Sequence, residues 1–81
     1  MSKSSTLVPE AIVQMALTVN GAPRRVPVGF TVSDLLASLE LDARTVVIER
    51  NGTILRDRAS LAMIELADGD SIEIVHFVGG G

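Results

Sequence analysis

Cysteine, tryptophan and tyrosine are absent from these 81 residues, which hold only two phenylalanines, one histidine and one lysine. Without cysteine the chain can build no disulfide framework, thiolate metal site, iron-sulfur cluster or catalytic thiol. With Phe30 and Phe77 as its only aromatics the core has to be aliphatic, and the stacking platforms that hold single-stranded nucleic acid are missing. Positive charge is scarce too. Seven Lys and Arg against ten Asp and Glu leave a formal charge of -3, the opposite of what a phosphate-backbone binder concentrates. No apolar run approaches the roughly 20 residues that cross a bilayer, and residues 1–6 lack the charged-then-apolar order of a signal peptide. These absences point to an acidic cytoplasmic protein with neither nucleic acid nor membrane as partner. His76, alone and without a carboxylate at useful spacing, supplies neither a metal site nor a catalytic constellation.

What is present is a generous aliphatic supply, 47% hydrophobic, in short segments. At this length a single small domain has to place nearly all of it well. Residues 1–14, Ser/Thr-rich at first and interrupted by Pro9, read as a flexible extension, and the domain is expected over 15–78. Leu17 and Val19 alternate onto one face, Asn20-Gly21 marks a tight turn, and residues 24–28 return as a second strand. Pro23 and Pro27 have no backbone donor, which assigns that strand to an edge or a bulge. Thr31 with Asp34 forms a capping-box signature, Phe30 is placed to staple onto Leu35, and Val32, Leu35, Leu36 and Leu39 make one apolar stripe. A helix should therefore run from there to about Glu40 and lie across a sheet.

Residues 45–49 are β-branched and read as a buried strand, followed by an Asn51-Gly52 turn and a short return over 53–56. Residues 57–66 stay ambiguous, with Leu61, Ile64 and Met63 as candidates for a helical turn that plugs the end of the core. Asp68-Gly69-Asp70 is a turn, and residues 71–77 form the last strand. Two strands, a helix and three more strands correspond to an α+β, β-grasp or ubiquitin-like fold: a mixed sheet of about five strands packed on one main helix.

The last strand runs through Val78 into Gly79-Gly80-Gly81. A glycine run forms no stable element and offers no functional side chain, so this tail, over 79–81, is expected to be flexible. Its reactive group is the α-carboxylate of Gly81, on a stem thin enough to thread into another protein's active site. Strand parity puts Ile72, Ile74 and His76 on one face and Glu73, Val75 and Phe77 on the other. If the first face meets the helix, Val75 and Phe77, with Val78, become a partner-binding patch at the root of the tail. The alternative is that Phe77 folds back onto the core edge. Glu65, Asp68, Asp70 and Glu73 leave the final third acidic, able to steer a basic partner but first of all a solvated face. Arg24, Arg25, Arg56 and Arg58 read as surface charges.

The turn Asn20-Gly21, the helix entry Phe30-Thr31-Val32 with Leu35-Leu36, the segment 47–52 and above all the run from Asp68 to Gly81 resemble the ThiS family, the sulfur carriers of thiamine thiazole biosynthesis. The resemblance covers residues 15–81. It implies a carrier acted on by enzymes, not an enzyme. The Gly81 carboxylate would be adenylated by a ThiF-like adenylyltransferase that uses ATP, with no cofactor bound to the carrier itself. Sulfur from a cysteine desulfurase or another donor would turn it into a thiocarboxylate, which thiazole synthase consumes. Gly79 and Gly80 would present that end. Three other readings stay open. One is the small subunit of molybdopterin synthase, whose approach to the glycines usually contains Phe and Pro where this chain has Ile74-Val75-His76-Phe77-Val78. Another is a ubiquitin-like modifier joined through Gly81 to lysines of other proteins, the chain's own single lysine being Lys3. The last is a plain β-grasp interaction domain with an inert tail.

Overall fold

Among the described residues, five strands form one mixed sheet in the order β2-β1-β5-β3-β4, covered on one face by a single α-helix. The computed structural model describes residues 13–77. β1 (Gln14–Val19) and β2 (Ala22–Pro27) pair antiparallel around Asn20 and Gly21, at φ 50° and 83°. Two left-handed residues in succession give the turn whose twist matches the flanking strands, which is what Asn-Gly supplies. So short a turn leaves Ala22 directly opposite Val19, and β2 begins two residues earlier than the sequence pattern suggests. Met15, Leu17 and Val19 alternate into the core, while β2 lies at the sheet edge, where Pro23 and Pro27 need no ladder partner on the open side.

Helix α1 (Val32–Ser38) opens with a complete capping box. The Asp34 N–H donates to Thr31 Oγ1 at 3.0 Å and the Thr31 N–H donates to Asp34 Oδ2 at 2.9 Å. Val32, Leu35 and Leu36 are buried, with Phe30 and Leu39 partly so. The helix closes two residues before the expected Glu40. Glu40 sits at φ 59°, its N–H donating to Ala37 O and the Leu41 N–H donating to Leu36 O. This is a Schellman closure with glutamate where glycine is usual.

Asp42 starts a 3-10 turn (Ala43–Thr45) that delivers the chain into β3 (Val46–Arg50). Asn51 and Gly52, again left-handed, return it as β4 (Thr53–Ile54), which is shorter than the 53–56 expected. Only Thr53 and Ile54 find ladder partners. After the Leu55 N–H bonds Ile48 O, the chain turns off toward a second 3-10 helix (Arg58–Met63). There Leu61 is buried and Ile64 partly buried, but Met63 is 81% exposed. Three residues per turn put Leu61 and Ile64 on one side, so the two residues between them, Ala62 and Met63, point out, and Met63 takes no part in the plug.

β5 (Ser71–His76) occupies the centre of the sheet, parallel to β1 and antiparallel to β3. The most deeply buried side chains, Leu17, Val32, Leu35, Leu61 and Ile72, come from β1, α1, the second 3-10 helix and β5, and all are aliphatic. No helix among the described residues is long and apolar enough to cross a membrane.

Candidate functional site

Val78, Gly79, Gly80 and Gly81 lie outside the described residues. What the structure does describe is the strand that leads to them and its supports. On one edge of β5 the Thr18 N–H donates to Asp70 O at 2.9 Å and the Asn20 N–H to Ile72 O at 2.8 Å. Past Val19, where the β1 ladder ends, the Asn20 side chain takes over. Its Oδ1 accepts from the Ile74 N–H at 2.7 Å and its Nδ2 donates to Ile74 O at 3.2 Å, reproducing with an amide side chain what a further backbone residue would have made. The other edge pairs with β3 from Ile72 to His76 and continues one step further, the Phe77 N–H donating to Thr45 O at 2.9 Å. β5 is held on both edges up to Ile74 and on one edge as far as Phe77.

The start of β5 is fixed by Asp70, whose carboxylate is buried. It accepts from the Ala67 N–H at 2.8 Å, Asn51 Nδ2 at 2.9 Å and Arg50 Nε at 2.9 Å. Burial pushes this carboxyl up, but those hydrogen bonds and the charge of Arg50 outweigh it and hold the group below the ordinary aspartate range. The solvated, partner-steering role expected for this acid is therefore wrong for Asp70, a buried structural anchor. Asp68 also has a local task, its Oδ1 accepting from the Ala16 N–H at 2.8 Å. Asn51 mirrors Asn20: its Oδ1 accepts from the Ser71 N–H at 2.8 Å while its own N–H donates to Ser71 O. Both hairpin turns thus reach back to β5. The sequence signal lies in the choice of asparagine, which tolerates the left-handed turn and carries a donor and an acceptor on separate side-chain atoms.

At the root of the tail, Val75 is 61% exposed and Phe77 50% exposed. Phe77 forms one wall of a cleft of about 350 Å³ whose other walls include Val46, Leu55, Leu61 and Arg58. The Arg58 guanidinium lies 5.7 Å from the Phe77 ring centroid while its Nε donates to Ala43 O, so Arg58 is a packing residue as well as a surface charge. Ile72 and Ile74 face the core, and Glu73 and His76 are exposed. Among the described residues no three His, Asp or Glu side chains converge as metal ligands would.

A family model described as the ThiS family matches residues 17–81. The chain belongs to the ThiS family. A sulfur carrier protein ThiS from Bacillus subtilis is 51% identical over 51 residues, 63% of this chain and 76% of that protein. Among solved structures, the crystal structure of the thiamine biosynthesis protein ThiS from Geobacter metallireducens superposes with a TM-score of 0.71 at 38% identity, covering 83% of this chain and all of that one. The β-grasp architecture and the ThiS resemblance are both borne out by these likenesses. A thiazole synthase from Paramagnetospirillum magneticum is 43% identical over 67 residues, 83% of this chain, but this chain spans only 20% of that enzyme's length. The ThiS match takes in both Asn-Gly turns, β5 and the glycine run.

Proposed function

We propose that the chain is a sulfur carrier for thiamine thiazole synthesis and not itself a catalyst, with Gly81 as the carrying residue. The observation that carries this reading is the clamped strand: in a ThiS-family chain, β5 is fixed on both edges a few residues ahead of Gly79-Gly80-Gly81. A fixed stem and a thin end suit delivery of a terminal group into a narrow active site.

A carboxylate is a poor acyl donor because its leaving group is poor. Attack of a Gly81 carboxylate oxygen on the α-phosphorus of ATP, held by a ThiF-like adenylyltransferase, forms a mixed anhydride and expels pyrophosphate. A persulfide sulfur from a cysteine desulfurase or another donor then attacks the acyl carbon, and AMP leaves. A thiol cleaves the resulting acyl disulfide, forming a new disulfide with the donor and leaving a thiocarboxylate on Gly81. Thiazole synthase takes that sulfur. The chain has no cysteine of its own, so the persulfide and the thiol belong to partners in the same cytoplasm.

The first step is tested by pyrophosphate exchange into ATP catalysed by the activating enzyme. Exchange that depends on the full-length chain and vanishes on deleting Gly81, with folding intact, is the expected result. Exchange indifferent to Gly81 removes that residue from the chemistry. Capture of thiazole synthase, as opposed to the large subunit of molybdopterin synthase, from extract separates the two pathways.

A further inference from the structure

The outward face of the β5-β3-β4 half of the sheet has two properties that the fold does not require. First, it exposes aliphatic side chains. Val75 stands opposite Val47, and Ile54, opposite Glu49, is 37% exposed. Second, Glu49 and Glu73 stand directly opposite each other two residues away along the same strands. Residues two apart share a face, and so do cross-strand partners. Val47, Glu49, Glu73, Val75 and Ile54 therefore point one way, while Val46, Ile48, Ile72 and Ile74 are buried on the other.

Two carboxylates directly opposed across a ladder repel each other and destabilise the pairing. Arg50, adjacent in sequence to Glu49, has the opposite parity and is committed to Asp70 at 2.9 Å. The other ion pair among the described residues joins Arg44 to Asp42, so neither pair takes in Glu49 or Glu73. The free chain thus carries an opposed acid pair flanked by Val47, Val75 and Ile54, with Glu73 four residues before Phe77. Such a pair is complementary to one cation on a surface that is otherwise apolar.

We propose that this face docks on thiazole synthase, and that the enzyme presents one arginine or lysine between Glu49 and Glu73 within a contact otherwise made by Val47, Val75 and Ile54. The proposal rests on the reading of thiazole synthase as the partner. It draws on the Paramagnetospirillum enzyme, in which a segment like this chain and a thiazole synthase share one polypeptide. A cation from the partner offsets a repulsion that the free carrier bears, so the pair trades stability of the isolated domain for recognition.

The test compares the full chain with the double variant Glu49→Gln/Glu73→Gln, which keeps the shape and removes the charges, and with Glu73→Lys. Each is titrated with thiazole synthase at low and raised salt, and each is unfolded in urea. The expected result is that the double variant unfolds at the same or a higher urea concentration yet binds about tenfold more weakly, with most of the salt dependence gone. Glu73→Lys binds more weakly still. Unchanged affinity in both variants overturns the proposal and leaves the partner reading standing. A wild-type chain that does not bind thiazole synthase overturns both. Weaker binding accompanied by a lower urea midpoint in the double variant makes the pair structural and also overturns the proposal.

Discussion

Asn20 and Ile74, 54 residues apart, are joined by a two-way bond in which the side-chain amide of one grips the backbone of the other. Asn20 therefore does two things at once. It takes the left-handed conformation that the β1-β2 turn demands, and it extends the hold on β5 past the end of β1. Glycine at this position would keep the turn and lose the grip. We expect Asn20→Gly to cost about 1 to 2 kcal/mol, the scale of a pair of neutral hydrogen bonds. The amide of Ile74 should exchange with solvent faster than those of Leu17 or Ile48. A uniform change across the sheet would show that Asn20 matters for the turn alone.

Asp70 makes stability depend on acid. Its carboxyl is held below its unfolded-state value, so over the interval between the two the unfolded chain binds more protons than the folded one. Its contribution is complete above the ordinary aspartate range and is lost as pH falls through the lower folded value. Chemical denaturation at a series of pH values should show this loss, and Asp70→Asn should flatten part of it. Asp70→Ala leaves Arg50, Asn51 and the Ala67 N–H without their acceptor and is expected to cost about 3 kcal/mol. A cost below about 1 kcal/mol, the level of exposed pairs, would mean that the carboxylate is no anchor.

Glu40 occupies the left-handed closing position of α1 without being glycine. Replacing it relieves steric strain at the expense of a looser unfolded chain. Glu40→Gly should raise stability by roughly 0.5 to 1 kcal/mol in urea denaturation. Destabilisation would show that the glutamate side chain contributes more than its backbone costs.

Phe77 is half-exposed, with its ring set against Arg58 at the mouth of the cleft. If it presents the tail to a partner, Phe77→Ala should lower stability by only about 1 kcal/mol, far less than the several lost when a fully buried aromatic is truncated. The rate at which the chain is used by its partners should fall at least tenfold. A large loss of stability with unimpaired use would make Phe77 part of the core edge.

Local chemistry explains which parts of this architecture were legible in the sequence. The two Asn-Gly turns, the Thr31–Asp34 box and the proline-bearing edge strand each rest on a preference that acts within a few residues. The alternation of Ile72 and Ile74 likewise gave the buried face of β5. The early stop of α1 was not visible because Glu40 carries no glycine signal. Met63 sits two residues from Leu61, a spacing that turns the two side chains to different sides of the helix, and the apolar pattern of residues 57–66 does not show which of them faces inward. Asp70 looked like one more turn acid, since its partners Arg50 and Asn51 lie 20 and 19 residues away and meet it only through the β3–β5 pairing. The opposed pair Glu49 and Glu73 needed the strand register in the same way.

The proposal that Gly81 carries sulfur stands or falls on the intact mass of the chain after incubation with ATP, the activating enzyme and a persulfide donor. The expected outcome is a mass gain equal to exchange of one oxygen for sulfur, placed on Gly81 by fragmentation and absent when ATP is withheld. A chain that keeps its original mass under those conditions, or gains sulfur anywhere other than Gly81, contradicts it.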